Sequence, residues 1–276
     1  MPNSMSTAFR AVSRQLAALL LSLTLAACAG ADYRLPALSD SDISAASQDI
    51  QGSPDFEKVA RSAEAARALV HRAERRIEAT AGPVCADAGV ETCDFNVVYD
   101  HSSEVPNAWA EDPYKITLTR GLLEFMQNED EVAAVVGHEM GHHIVGHLDK
   151  ARSNYVIGAV IGAVLGAAAG AAAGDGTTAV AGGALGSQAG GAVGIISHSK
   201  EHEREADYVS VYLLARAGYD LDQAAEVWKR LAKSSGRMET GLLDTHPASP
   251  DRLAAWRKAV EEARGNPRLI PAANVN

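Results

Sequence analysis

Glu131 to His147 reads EVAAVVGHEMGHHIVGH and contains His138-Glu139-Met140-Gly141-His142, an H-E-x-x-H pattern. Two histidines four apart on a helix stand on the same face, so both imidazoles can reach one tetrahedral Zn²⁺. Glu139 lies beside that face, where a carboxylate can hold a metal-bound water and take its proton. The surroundings favour a helix. Asn128-Glu129-Asp130 offers an N-cap and an acidic first turn, and Val132, Val135 and Val136 recur at helical spacing. An amphipathic helix with surface histidines is the alternative reading of the same letters.

A third protein ligand decides the kind of site. The longer H-E-x-x-H-x-x-G-x-x-H pattern fails here, because Val145 and Leu148 replace its glycine and last histidine. His143 and His147 fall off the ligand face, and His147 reads as a surface or supporting residue. Downstream, Glu203-Arg204-Glu205-Ala206-Asp207 places Glu203 and Asp207 on one helical face. One carboxylate can bind the metal while the other orients a ligating histidine through its free N–H. A His₂Glu set leaves a fourth position open, as catalytic zinc sites do.

These residues give the chain a family resemblance. It resembles the HtpX-type zinc metallopeptidases, related to the CaaX prenyl-protein proteases, and most of all their small periplasmic LoiP branch. The matching residues are Asn107-Ala108-Trp109-Ala110, Gly121-Leu122-Leu123, His138 to His142, Ser199, Glu203-x-x-Ala206-Asp207, Thr245-His246-Pro247 and Arg252, within roughly Phe95 to Trp256. Lys200 stands where relatives often carry arginine, which keeps the charge but loses the planar fork. The resemblance implies an α+β, mainly helical, zincin-like metallopeptidase domain with one Zn²⁺ held by His138, His142 and Glu203. Glu139 would be the general base and Asp207 the residue behind a ligand histidine. It implies that Asn107, Ala108, Trp109 and Ala110 form an edge that binds peptide by strand addition. It also places His246 near the metal, where its ring would cover the open position or hydrogen-bond the oxyanion. The plainer alternative for His246 is a loop histidine that caps a helix. Arg252 is expected near the site, paired with an acidic supporting group.

The wider chain has 276 residues and a net charge of −10, which gives nucleic-acid binding no electrostatic support. Residues 1–27 read as a signal peptide, with Arg10 and Arg14 before an apolar run too short to span a bilayer. The run ends Leu25-Ala26-Ala27-Cys28, which resembles a bacterial lipobox, so Cys28 is the expected lipidation site. Ala29 in place of Asp points to the outer membrane, facing the periplasm; ordinary cleavage near Ala27 or Ala29 is the alternative. Residues 28–54 read as an acidic tether, 55–264 as the peptidase domain and 265–276 as a tail. Cys85 and Cys93 read as a disulfide in an exported chain, with a second metal site as the alternative.

The first helix is expected from Asp55 to Ala79, ended by Gly82-Pro83. Three strands are expected near Phe95–Tyr99, Val105–Ala110 and Lys115–Thr119, forming a small antiparallel sheet beside the zinc helix. Between residues 156 and 197 glycine recurs every fourth position, at Gly158, Gly162, Gly166, Gly170 and Gly174 and again at Gly182, Gly186, Gly190 and Gly194. That spacing lets helices approach closely and reads as a glycine-zipper hairpin inserted between the zinc ligands. Val156 to Gly174 carries no charge and as a helix would reach about 28 Å, near a bilayer core. Its Gly and Ala side chains supply little transfer energy. Membrane dipping, a packed hairpin that covers the cleft or joins copies into a homo-oligomer, and a flexible loop all fit this composition. The expected partners are unfolded or misfolded proteins, the membrane and outer-membrane assembly machinery. An assembly chaperone with a latent zinc site is the rival to an endopeptidase.

Overall fold

The computed structural model describes residues 33–273 except 56, 174–177, 179, 182, 189–199 and 235–245. The signal segment, Cys28 and much of the 156–197 insertion therefore lie outside the described residues.

The centre of the molecule is a pair of buried helices. Asn128 caps the first by accepting from the Glu131 amide, and the helix, α4, runs Glu129–Ile144 with every residue from Glu131 to Ile144 buried. The second, α6, is Lys200–Ala217, and it packs along α4. Two glycines make that approach possible. A Cβ on Gly137 would lie 2.7 Å from Ser210 Oγ and 2.6 Å from Leu214 Cδ1, and one on Gly141 would lie 2.7 Å from the Ala206 carbonyl oxygen. A larger residue at Gly141 would meet the backbone of α6 and push apart the two helices that carry the histidines and Glu203, whereas one at Gly137 would meet the side chains of Ser210 and Leu214.

Helices α2 (Ala63–Asp87), α7 (Leu221–Ser234) and α8 (Pro250–Gly265) complete the packing around this pair, with Trp228 and Trp256 deep in the core. Helix α2 begins eight residues later than Asp55 and continues through Pro83 to Asp87. Ser62 caps its start, accepting from the Ala65 amide. Its far end leads into the Cys85–Cys93 disulfide.

The sheet is mixed, which corrects the expected antiparallel one. Strand β1 (Asn96–Asp100) pairs in parallel with β3 (Lys115–Thr119), and β2 (Ala108–Glu111) pairs antiparallel on the other side of β3. The turn at residues 112–114 folds β3 back antiparallel on β2, and β1 lies along the other edge of β3 in the same direction, so β3 is central and the β1–β3 pair is parallel. The less buried β2 is left at the edge next to α4. Thr119 Oγ accepts from the Asn107 and Leu122 amides, which ties β2 to the short helix α3 (Arg120–Phe125).

Neither end of the described chain is a loose tether. Within the expected tether, residues 40–52 form a helix, α1 (Asp40–Gly52), started by a Ser39/Asp42 capping box. Ala46 and Ile50 give it an apolar face, which it buries against α7 and α8. The polar composition concealed these two anchors. Tyr33 and Ala273 form a bridge, so residues near both ends pair with each other.

Helix α5 spans His147–Ala173. The end of the insertion falls outside the described residues, and so does the expected turn at Asp175. A Cβ on Gly186 would lie 2.0 Å from the Gly162 carbonyl oxygen, so these two positions are in close approach. Among the described residues, no helix is long and apolar enough to cross a membrane.

Candidate metal centre

His138 and His142 lie one turn apart on α4, both fully buried, with their Nε2 atoms 3.0 Å apart. Glu203 arrives from the first turn of α6. Its carboxylate oxygens lie 3.4 Å from His138 Nε2 and 3.5 Å from His142 Nε2. His246 comes from the segment before α8, with Nδ1 3.2 Å from His138 Nε2 and 3.0 Å from Glu203 Oε1. One ligand atom from each of the four residues falls within 4.8 Å of the others. Tetrahedral zinc with N and O ligands sets its donors about 3.3–3.5 Å apart, and the observed separations bracket that range.

Two further observations test whether a divalent cation suits these residues. Glu139, Glu203 and Asp207 are buried carboxylates, with Arg252 as the buried cation among them. Buried carboxylates thus outnumber the one guanidinium, and a dication can take over the compensation that a proton on His138 otherwise supplies. Neither oxygen of Glu139 has a hydrogen-bond partner among the described residues. A buried carboxylate in that state is costly unless water or a cation meets it. The residues fit the metal.

The supporting residues are as well defined as the donors. His138 Nδ1 is 2.9 Å from Asp207 Oδ1. Arg252 donates to both Asp207 oxygens, from Nε at 2.6 Å and Nη2 at 2.9 Å, and its Nη1 lies 3.1 Å from Glu203 Oε2. The guanidinium also lies 4.2 Å over the Trp228 ring and donates to the His246 carbonyl at 3.3 Å. Arg252 thus connects the carboxylate among the metal donors, the carboxylate behind His138 and the backbone that carries His246.

These contacts set the charge states of the metal-free site. Burial and the Arg252 charge lower the His138 pKa, but Asp207 and Glu203 outweigh them and raise it to about 9. Glu203 is held well below the usual carboxylate range, because the His246 and Arg252 charges overcome the upward effect of burial. Asp207 is lowered against burial by Arg252 and His138.

Sequence reasoning missed part of the site. His147 is fully buried, with Nδ1 2.9 Å from His142 Nδ1 and Nε2 3.0 Å from Glu205 Oε2. Counting helical turns from His142 sent it the wrong way, because the helix does not continue. It stops at Ile144, Gly146 takes a left-handed φ of 68°, and α5 starts at His147 on a new axis that turns the ring back to His142. The glycine just before a histidine was the available signal. Burial pushes the His147 pKa down to about 2. His202 stacks on His147 with ring centroids 4.4 Å apart. His143 points to the other side, toward the Lys115 carbonyl.

A model of peptidase family M48 matches residues 71–260, more than half of the chain and all four candidate donors. The chain belongs to peptidase family M48. Over 161 residues this M48 chain is 31% identical to the mitochondrial metalloendopeptidase OMA1 of Arabidopsis thaliana, covering 58% of this chain and 31% of that one. It is 30% identical over 161 residues to the beta-barrel assembly-enhancing protease of Escherichia coli (strain K12), covering 57% and 33%. It is 28% identical over 162 residues to the metalloprotease YcaL of the same strain, covering 57% and 59%. The M48 match therefore spans about a third to three-fifths of these relatives' own lengths.

Proposed function

We propose that this M48 chain is a zinc-dependent endopeptidase of the bacterial cell envelope. In this reading it is anchored to the outer membrane by a lipid on Cys28, faces the periplasm, and degrades unfolded or misfolded envelope proteins. The observation that carries the catalytic part is the Glu139 carboxylate, buried and without a hydrogen-bond partner among the described residues, beside three imidazoles and a second carboxylate. A chaperone with a latent metal site has no use for such a group. The cellular part rests on the lipobox-like Leu25–Cys28 and on similarity to a relative named for enhancing beta-barrel assembly. Finer placement beside the HtpX or LoiP branches rests on the motif residues alone.

His138, His142 and Glu203 would hold the zinc, which when bound polarises the scissile carbonyl and acidifies water. Glu139 takes one proton from the water as its oxygen bonds to the carbonyl carbon. It then delivers that proton to the amine nitrogen as the C–N bond breaks. Asp207, accepting from His138 Nδ1, leaves the Nε2 lone pair directed at the cluster. Arg252 fixes Asp207 in turn. His246, with Nδ1 near His138 and Glu203, would cover the open position of the site, and swung aside it would donate to the oxyanion; its Nε2 lies 3.6 Å from Glu139 Oε1. The edge strand β2 offers a peptide one row of backbone groups, and the buried Oδ1 of Asn107 has no hydrogen-bond partner among the described residues. The glycine-rich insertion is read as a hairpin next to this cleft.

The test is incubation of unfolded casein with the zinc-loaded protein and with Glu139→Gln, each with and without chelator. The wild type should give fragments that a chelator abolishes. The variant should keep stoichiometric zinc and lose roughly 10²–10⁴-fold in rate. Full activity in the variant would remove Glu139 from the mechanism. Protection from aggregation with no fragments would favour the chaperone. Loss of membrane attachment in Cys28→Ala tests the anchor separately.

A further inference from the structure

We propose that His147 and Glu205 are positioning residues of the metal site, and that the backbone amide of Tyr33 is the outermost member of the chain that holds His142. This rests on the reading of His142 as a metal ligand. His138 has a carboxylate directly behind it, in Asp207. His142 Nδ1, on the other side of its ring from Glu203, meets a second imidazole, and that imidazole meets a carboxylate.

The chain can be followed atom by atom. His142 Nδ1 is 2.9 Å from His147 Nδ1, His147 Nε2 is 3.0 Å from Glu205 Oε2, and the Tyr33 amide donates to Glu205 Oε1 at 2.9 Å. All three side chains are buried. The Tyr33 N–H can only donate, so it holds the Glu205 carboxyl through Oε1 and leaves Oε2 toward His147. In the proposed order of donors, His142 Nδ1–H donates to His147 Nδ1 and His147 Nε2–H donates to Glu205, which points the His142 Nε2 lone pair at the cluster. A ligand at the heart of the molecule is thus backed by a backbone group near the start of the described chain.

The geometry of α6 and of the segment near Tyr33 supports this role. Glu203 and Glu205 are two apart on α6, so one reaches the cluster while the other turns toward His147. Tyr33 is itself held. Its ring lies 6.1 Å from that of Tyr208, the Arg34 amide donates to the Ala272 carbonyl at 2.8 Å, and Arg204 donates to the Pro36 carbonyl at 2.9 Å. The segment from Tyr33 to Pro36 is then a structural part of the metal site, although it lies 105 residues before His138 in sequence.

The full-length protein and three variants test this. Glu205→Gln has nearly the same shape, but either orientation of its amide sets a donor against a donor, at His147 Nε2 or at the Tyr33 amide. Tyr33→Pro removes the donor, and Tyr33→Ala removes the ring while keeping the donor. Zinc affinity is read by competition with a chromophoric chelator, and ligand geometry by the visible absorption of the cobalt-substituted protein. We expect Glu205→Gln and Tyr33→Pro to weaken zinc roughly 10–100-fold and to shift the cobalt bands, with Tyr33→Ala within about threefold of wild type. Unchanged zinc affinity and cobalt bands in Glu205→Gln would overturn the proposal, as would equal losses in Tyr33→Ala and Tyr33→Pro. Should Tyr33→Pro fail to fold, Glu205→Gln decides alone. A wild type that takes up no zinc would instead sink the metal reading itself.

Discussion

Replacing Arg252 with methionine should destabilise the metal-free protein far more than it destabilises the zinc-loaded one. The side chain is buried, and its fork donates to both oxygens of Asp207 at 2.6 and 2.9 Å while a third nitrogen lies 3.1 Å from Glu203. Methionine fills much of the volume and removes the charge. Two buried carboxylates then lose their shared cation, and breaking a buried pair from one side costs about 3–5 kcal/mol. The stacking over Trp228, at 4.2 Å, adds a smaller loss in the same direction. In a protein of this size each kcal/mol moves the melting temperature by about 2–4 °C, so the drop should be about 6–20 °C. The assay is a thermal melt in chelator, repeated with zinc in large excess over its Kd. Zinc at a thousandfold excess raises stability by about 4 kcal/mol, and it supplies positive charge where the guanidinium was lost. The gap between variant and wild type should therefore narrow when zinc is present. Arg252→Lys keeps the charge without the fork and should fall between the two. A methionine variant that melts within about 3 °C of wild type in chelator would refute this account of the buried charges.

Two other measurements probe the same structure. His138 has its folded pKa raised from 6.5 to about 9, so its contribution to stability is complete below pH 6.5 and is lost as the pH rises through about 9. Glu203 and Asp207 are lowered from 4.5 and 3.8, so their contributions are complete above pH 4.5 and are lost as the pH falls. His147, pushed down from 6.5 to about 2, contributes fully above pH 6.5 and loses that contribution as the pH falls, so the metal-free melting temperature should peak at about pH 6.5, and zinc should remove the alkaline decline; a metal-free optimum above pH 9 would contradict the assigned contacts. Reducing the Cys85–Cys93 bond, which closes a loop with a sequence separation of 8, should cost about 2.5 kcal/mol by loop entropy, seen as a drop of about 5–10 °C in a melt with reductant. No change on full reduction would show that the loop is held by other contacts.

Local pattern determined the parts of this protein that need only neighbours in sequence. The four-residue spacing of His138 and His142 fixes two imidazoles on one helical face whatever the fold does, and the Asn128 cap starts that helix at the position where the cap stands. The same spacing puts Glu203 and Asp207 on one face of α6, and the structure brings that face to the histidines. Tertiary structure decided the rest. Whether β3 is an edge or a centre depends on which strands hydrogen-bond along its two sides, and the pairing of β1 with β3 across the intervening β2 is not encoded in the five residues themselves. Whether residues 40–52 hang loose depends on a groove offered by α7 and α8, more than a hundred and fifty residues away. His147 shows the limit most sharply: one residue in the left-handed region, Gly146, reverses the direction of everything after it, so a periodicity that is exact inside a helix carries no information past its end.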